Sequence, residues 1–193
     1  MRMLRRNSLS FLSFMQIAAA AESAFAARVD VPQEKPKTAG KILYEVTSHG
    51  ELGNTGRKTG YWLSEVTRPW KVLKDAGYEI DFMSPKGGEC PVEGQNPSDP
   101  VNKAFAQDLS AQKKINFTIK PSEVKPEEYK AIFFAGGHGV MWDFPDNKEL
   151  AAITSKFYEN GGVVAAVCHG PAALINVKLS NGKFLVDGKK INS

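Results

Sequence analysis

The stretch from Gly161 to Leu174 constrains the fold more than any other part of the chain. It reads Gly-Gly-Val-Val-Ala-Ala-Val-Cys-His-Gly-Pro-Ala-Ala-Leu. The apolar, β-branched run from Val163 to Val167 predicts a strand that is buried on both faces. The small residues that follow let a helix begin close to this strand, and Pro171 suits the first turn of that helix. The stretch therefore predicts a strand that turns sharply into a helix.

Cys168 lies on the predicted turn. The pattern Ala166-x-Cys168-x-Gly170 matches a nucleophile elbow, in which a serine more often holds the central position. We expect the helix N-terminus to lower the pKa of the thiol and favour the thiolate. We also expect the backbone N–H of His169 to donate to an oxyanion. The alternative is a structural cysteine in the core, but the adjacent histidine and glycine favour a reactive thiol.

Strand and helix signals alternate along the chain. Strands are predicted at Lys41–Thr47, Tyr78–Met83 and Ala131–Phe134, and helices at Gly60–Ala76 and Asp143–Asn160. This order predicts an α/β fold, a doubly wound, flavodoxin-like parallel sheet flanked by helices. The active site of such a sheet lies at the carboxyl ends of its strands. His49, the turn Gly136–Gly139 and Cys168 all fall at such ends.

The first predicted helix carries Glu65 among apolar neighbours. Val66 and Trp70 lie on one face at helical spacing, and Gly77 is placed to end the helix. Pro69 removes the N–H that bonds to the carbonyl of Glu65, so we expect the helix to bend or to start irregularly there. We interpret Glu65 as a site residue, the alternative being a solvated helix glutamate.

Other segments exclude several functions. In the glycine-rich loop before Lys58, Arg57 stands where a phosphate loop needs glycine, so we reject nucleotide binding there. The net charge of +4 comes without a dense basic patch, which gives no support for nucleic-acid binding. Two cysteines without a Cys/His cluster predict no structural metal site. The segment 87–110 is rich in turn-forming residues and is interpreted as an insertion with Cys90 exposed.

The N-terminus has the features of an export signal. Residues 1–27 combine an arginine-rich start, a moderately apolar stretch and the small-x-small site Ala24–Ala26, so we predict a cleavable signal peptide. Residues 28–40 are interpreted as a linker and 41–193 as the domain. We expect a periplasmic or secreted protein with no membrane segment in its mature form. A cytoplasmic protein with an N-terminal extension is the alternative, and the choice between Sec and twin-arginine export stays open.

Three motifs together resemble the DJ-one/PfpI superfamily of the class I glutamine-amidotransferase-like fold. They are Gly60–Val66 with Arg68-Pro69-Trp70, Phe134–Gly139, and Ala165–Pro171. The resemblance runs from about Lys41 onward and favours the glyoxalase III and heat-shock chaperone branch. It implies conversion of methylglyoxal, a small 2-oxoaldehyde, to D-lactate without a cofactor, with deglycase or chaperone activity in some members. We also expect a homodimer.

The resemblance also implies residue roles. Cys168 is the nucleophile, His169 its partner and Glu65 the carboxylate beside the sulfur. Gly136, Gly137 and His138 belong to the oxyanion and substrate pocket. The backbone N–H groups of Gly137 and His169 form the oxyanion hole. For His138 the alternative is that only the backbone of the turn matters and that its side chain merely lines the pocket.

The family's third triad acid lies about thirty residues beyond the cysteine. Asp187 is the only acid in that part of the chain, and we predict that it sits in a hairpin turn formed by residues 184–191. We therefore leave the triad acid unassigned and expect the domain to continue past Ser193. Two other functions stay open: a non-enzymatic stress chaperone, and an amidase or peptidase of the same superfamily.

Overall fold

The computed structural model describes residues 38–191. The predicted signal peptide (1–27) and most of the predicted linker lie outside the described residues. The strands are β1 Gly40–Glu45, β2 Tyr61–Trp62, β3 Tyr78–Met83, β4 Val92–Glu93, β5 Tyr129–Phe134 and β6 Val163–Ala166. The α-helices are α1 Leu63–Asp75, α2 Pro100–Gln107, α3 Leu109–Asn116, α4 Val140–Asp143 and α5 Lys148–Glu159, and a 3₁₀ helix spans Gly170–Leu174. None of these helices has both the length and the apolar character that crossing a membrane requires.

Four strands form one parallel sheet in the order β3-β1-β5-β6. Each parallel neighbour is reached by a crossover that contains helices, as the alternating pattern predicted. The strands β2 and β4 form a separate parallel pair. The predicted α/β architecture with a parallel sheet is confirmed.

Helices cover both faces of the sheet. Tyr44 and Phe82 on one face pack against Val66 and Trp70 of α1, together with Phe105 of α2. On the other face, buried side chains of the strands pack against residues of the α4–α5 region. The strands contribute Leu43, Ile132 and Phe134, and the helical region contributes Phe144, Leu150 and Phe157. Successive residues of β1 alternate between these two clusters, because side chains of a strand point to opposite faces.

The predicted helix around Glu65 is confirmed. It forms α1, which begins at Leu63 and continues through Pro69 to Asp75. The glycine stop is also correct: Gly77 has a φ of +86°, and its N–H donates to the carbonyl of Lys74 at 2.9 Å. The apolar face of α1 is buried, which fixes the side on which Glu65 stands.

The segment predicted as an insertion holds regular structure that the sequence analysis missed. It contains β4 and α2 and leads directly into α3. Asp99 caps α2 by accepting from the N–H of Val101 at 2.8 Å, and Pro100 fills its first turn. The pair Asp99-Pro100 was therefore a usable helix-start signal. Cys90 is half-buried rather than exposed, and burial raises the pKa of its thiol.

Three further predictions need correction. The helix α5 begins at Lys148 rather than near Asp143, because Asn147 caps it by accepting from the N–H of Leu150 at 3.0 Å. The strand β6 is not buried on both faces: it lies at the edge of the sheet as described, and Val163 is 61% exposed.

The third correction concerns the chain after the elbow. An antiparallel bridge joins Lys178 to Phe184 around a turn at 180–182, in place of the predicted hairpin at 184–191.

Glu45 is a buried acidic residue in the core without hydrogen-bond partners for its carboxyl group. Its side chain is fully buried, and neither carboxylate oxygen has a hydrogen-bond partner. Burial, and secondarily the charge of Asp143, raise the pKa of Glu45 well above its ordinary value. Folding therefore favours the neutral acid at Glu45, whereas the unfolded chain ionises this side chain near its ordinary pKa.

We expect Glu45→Met to stabilise the protein, and more so at higher pH. Below the unfolded pKa both states hold the proton; above it the unfolded chain loses the proton first, so the stability of the wild type falls as pH rises. Methionine has no such dependence, and we expect a gain of about 1–3 kcal/mol at neutral pH. Urea unfolding of the wild type and of Glu45→Met near pH 4 and near pH 8 measures the free energy of unfolding of each protein at both pH values. A stability difference between the two proteins that is the same at both pH values would contradict this account.

Candidate active site

The elbow is built around one strained residue. Cys168 has a φ of +56° and is the only non-glycine residue with a positive φ in the described part of the chain. A bulky L-residue adopts this conformation at a cost, so the surrounding contacts must impose it. The N–H of Val167 donates to the carbonyl of Phe134 at 3.1 Å, and the N–H of Gly170 donates to the carbonyl of Val167 at 2.7 Å. The predicted nucleophile elbow is therefore present.

Gly170 is required for the close approach of the elbow to the sheet. A Cβ atom on Gly170 would lie 2.4 Å from the carbonyl oxygen of Phe134. The helix that follows is a five-residue 3₁₀ helix with Pro171 in its first turn, rather than an α-helix. The favourable effect of a long helix dipole on the thiolate, expected from the sequence, is correspondingly small.

Glu65 and the Gly136-Gly137 turn meet at the elbow. The carboxylate of Glu65, in the first turn of α1, accepts from the N–H of Gly136 at 2.8 Å. A Cβ atom on Gly136 would lie 2.6 Å from Glu65 Oε2 and 2.8 Å from Cβ of Cys168. The structure thus brings together two site residues that are 103 positions apart, Glu65 and Cys168.

The groups around the sulfur of Cys168 have opposite effects on the pKa of its thiol. Its Sγ lies 3.1 Å from His169 Nδ1. Partial burial raises the pKa of the thiol, and the hydrogen bond and negative charge of Glu65 raise it further, while the backbone N–H groups of Gly137 and His169 act in the opposite direction. The net direction is upward, so the expected depressed pKa is wrong for this arrangement. The two N–H groups are those predicted for the oxyanion hole.

We expect Glu65→Gln to lower the pKa of Cys168. The amide has no negative charge, and while its oxygen accepts from Gly136 its NH₂ group can donate to the sulfur, which favours the thiolate. The rate of alkylation of Cys168 as a function of pH gives the pKa directly, and its midpoint should move to lower pH. Glu51→Gln is the matched control, because the exposed Glu51 pairs with Lys58 and not with the sulfur. An unchanged midpoint in Glu65→Gln would contradict the assignment.

A second carboxylate approaches the site through His138. Glu93 Oε1 accepts from the backbone N–H of His138 at 2.9 Å and lies 3.0 Å from its ring Nδ1. The ring centroids of His138 and His169 are 4.9 Å apart. Sequence reasoning missed Glu93, because a two-residue strand in a turn-rich segment carries no periodic signal.

His169 has no carboxylate partner among residues 38–191; its ring contacts the thiol. Asp187 is occupied elsewhere, since its carboxylate accepts from the N–H of Phe184 at 3.1 Å. His49 also stands apart from the thiol: its ring stacks on Trp142 with centroids 5.0 Å apart. No cluster of three or more metal-ligating side chains occurs in the described residues.

Cys168 and His169 open into a cleft of about 570 Å³. The rest of its wall is largely apolar and includes Met141, Pro145, Val164, Ala166, Leu174 and Ile175. A small polar molecule bound here would meet its polar partners only at the elbow. The arrangement of thiol, imidazole, carboxylate and two backbone donors suits addition of the sulfur to a carbonyl group.

The model of the DJ-1/PfpI family matches residues 58–186, which include the elbow, the glycine turn and Glu65. The chain belongs to this family. The expected resemblance is therefore confirmed, and so is the fold. Both glutamates that contact the site, Glu65 and Glu93, lie inside the matched region.

Relatives in the family carry informative names. The glutathione-independent glyoxalase HSP31 of Saccharomyces cerevisiae is 35% identical over 162 residues, covering 78% of this chain and 67% of the relative. Glyoxalase 3 of Candida albicans is 35% identical over 164 residues with the same coverage. The crystal structure of glyoxalase III from Candida albicans superposes with a TM-score of 0.70 at 32% identity, covering 79% of this chain and 66% of that one. The chain thus spans about two thirds of the length of these proteins.

Proposed function

We propose that this protein is a cysteine-dependent, glutathione-independent glyoxalase that converts methylglyoxal to D-lactate. The observation that carries the proposal is the strained Cys168, with the carboxylate of Glu65 and the N–H groups of Gly137 and His169 at its sulfur. The names of the yeast relatives support the substrate class, a small 2-oxoaldehyde. The expected homodimer and export stay predictions.

The geometry supplies the parts of a redox-neutral rearrangement. The thiol adds to the aldehyde carbon of methylglyoxal, and the sulfur–carbon bond gives a hemithioacetal. Glu65 or His169 removes the proton from that carbon, and the oxyanion of the enediolate is held by the two N–H groups. Protonation of the neighbouring carbon gives a lactoyl thioester on Cys168. Hydrolysis of the thioester adds one water, which releases lactate and restores the thiol.

The cleft supports a substrate of this size. Its polar groups converge only at the elbow, and the remaining wall is largely apolar, so few contacts are offered to a longer polar chain.

The test is the release of D-lactate from methylglyoxal by the purified 193-residue chain in the absence of glutathione. An enzymatic assay specific for D-lactate measures the product, and NMR of the mixture shows whether methylglyoxal disappears at the same rate. We expect stoichiometric conversion. Binding of methylglyoxal without release of lactate would instead support the non-enzymatic alternative.

A further inference from the structure

Cys168 and His169 are not the only reactive pair at this edge of the sheet. Glu93 and His138 form a carboxylate–imidazole pair beside them, with Glu93 Oε1 3.0 Å from His138 Nδ1. The backbone N–H of His138 binds the same oxygen, so the carboxylate holds the residue at two points. The two imidazole rings face each other with centroids 4.9 Å apart, tilted by 46°.

The small sheet of β2 and β4 places Glu93 under the glycine turn. Trp62 and Glu93 are register partners in this sheet, and the N–H of Trp62 donates to the carbonyl of Gly136 at 3.1 Å. The next residue, Gly94, lies under the indole of Trp62, where a Cβ atom would come within 2.5 Å of the ring. Trp62 also immediately precedes α1, which carries Glu65. One short strand pair therefore fixes both carboxylates relative to the elbow.

The pairing determines which ring nitrogen of His138 is free. Burial opposes ionisation of Glu93, but the hydrogen bonds and charge of His138 outweigh it and hold the pKa of that carboxyl below its ordinary value. A carboxylate accepts only, so it selects the tautomer with the proton on Nδ1. In the neutral ring, Nε2 then carries the free lone pair. The side chain of His138 is 52% exposed, so the ring is accessible to water.

His169 is not arranged in this way. Its Nδ1 lies 3.1 Å from the sulfur of Cys168, so this nitrogen faces the thiol and not a carboxylate. The two histidines thus differ in what they can do: His169 exchanges a proton with the sulfur, and His138 presents an oriented base to solvent. A histidine whose Nδ1–H is bound by a carboxylate is the arrangement that activates water or a hydroxyl in hydrolases.

We infer that His138 is the general base for the hydrolysis of the lactoyl thioester on Cys168, and that Glu93 is its positioning residue. The inference rests on the proposed glyoxalase function. His138 Nε2 takes a proton from water as the water oxygen bonds to the thioester carbon. The carbon–sulfur bond then breaks, the electron pair goes to the sulfur, and the proton held by His138 returns to the thiolate. No oxidant or cofactor enters the step.

The test separates acylation of Cys168 from deacylation. In His138→Gln and Glu93→Gln, we expect the steady-state rate of lactate release to fall by about 10²-fold or more, since a general base contributes about that factor. Acylation continues, so one lactoyl group per chain should appear in a rapid burst and remain on the Cys168 peptide in mass spectrometry. Hydroxylamine needs no general base, so it should release the trapped group as the hydroxamate in both variants.

Controls distinguish this role from a structural one. The alkylation rate of Cys168 should stay that of the wild type in both variants, which shows that the elbow is intact. Glu51→Gln removes a carboxylate that is paired with Lys58 and should leave the rate unchanged. A rate loss without accumulation of acylated Cys168, or full activity in both variants, would overturn the inference. A wild-type chain that releases no lactate would instead overturn the proposed function. Lactate release by the wild type is therefore measured first, which keeps the two failures distinguishable.

Discussion

Replacing Cys168 with alanine is expected to reduce the turnover of methylglyoxal by about 10⁴-fold or more, because every step of the proposed reaction takes place on its sulfur. The fold should remain, since alanine is smaller, adds no polar group and meets the same φ of +56° at similar cost. We expect the free energy of unfolding to change by less than about 1 kcal/mol. Lactate release and urea unfolding of the same preparation measure both quantities.

The matched control is Cys90→Ala. Cys90 is the second cysteine of the chain and is half-buried against the core. It is not among the residues that contact the Cys168 sulfur, so its loss should leave the catalytic rate near that of the wild type. Turnover that survives in Cys168→Ala but disappears in Cys90→Ala would move the nucleophile away from the elbow and refute the proposed function.

The sequence predicted the sheet and the elbow because both follow from local patterns. Short stretches of aliphatic and aromatic residues close to a glycine mark β1, β3 and β5. Their alternation with helices leaves few arrangements other than a parallel sheet. The small residues around Cys168 are likewise explained by local packing, because any side chain larger than that of glycine at position 170 would collide with the carbonyl oxygen of Phe134. Such short-range constraints are visible in a single chain.

The parts of the site that escaped prediction depend on contacts between distant segments. Glu93 reaches His138 from 45 positions away through a strand of only two residues. The pKa of Cys168 could not be read from the elbow alone either. It depends on burial and on the charge of Glu65, which reverse the direction that the adjacent backbone N–H groups favour. Long-range burial and charge leave no periodic trace in sequence.

Gly137→Ala is expected to damage both stability and activity more than any other single methyl group added to the turn. Gly137 has a φ of +103°, and a Cβ atom there would lie 2.2 Å from the carbonyl oxygen of Gly60 and 2.7 Å from the N–H nitrogen of Trp62. These are backbone atoms that cannot rotate away, so the turn must move. We expect a loss of about 3 kcal/mol or more in the free energy of unfolding, from backbone strain and overpacking together.

The same shift should remove the oxyanion donor and the support of the β2–β4 pair. Gly137 supplies an N–H to the sulfur, and the adjoining Gly136 holds Trp62 through its carbonyl. We therefore expect lactate release to fall by about 10²-fold even at temperatures where the variant is folded. Gly56→Ala is the matched control: its φ is +71°, but nothing lies within 4 Å of its added Cβ. We expect Gly56→Ala to lower the free energy of unfolding by about 1 kcal/mol and to leave the rate of lactate release unchanged. Equal losses in the two variants would show that left-handed strain alone, and not the packing of the turn against β2, accounts for the effect.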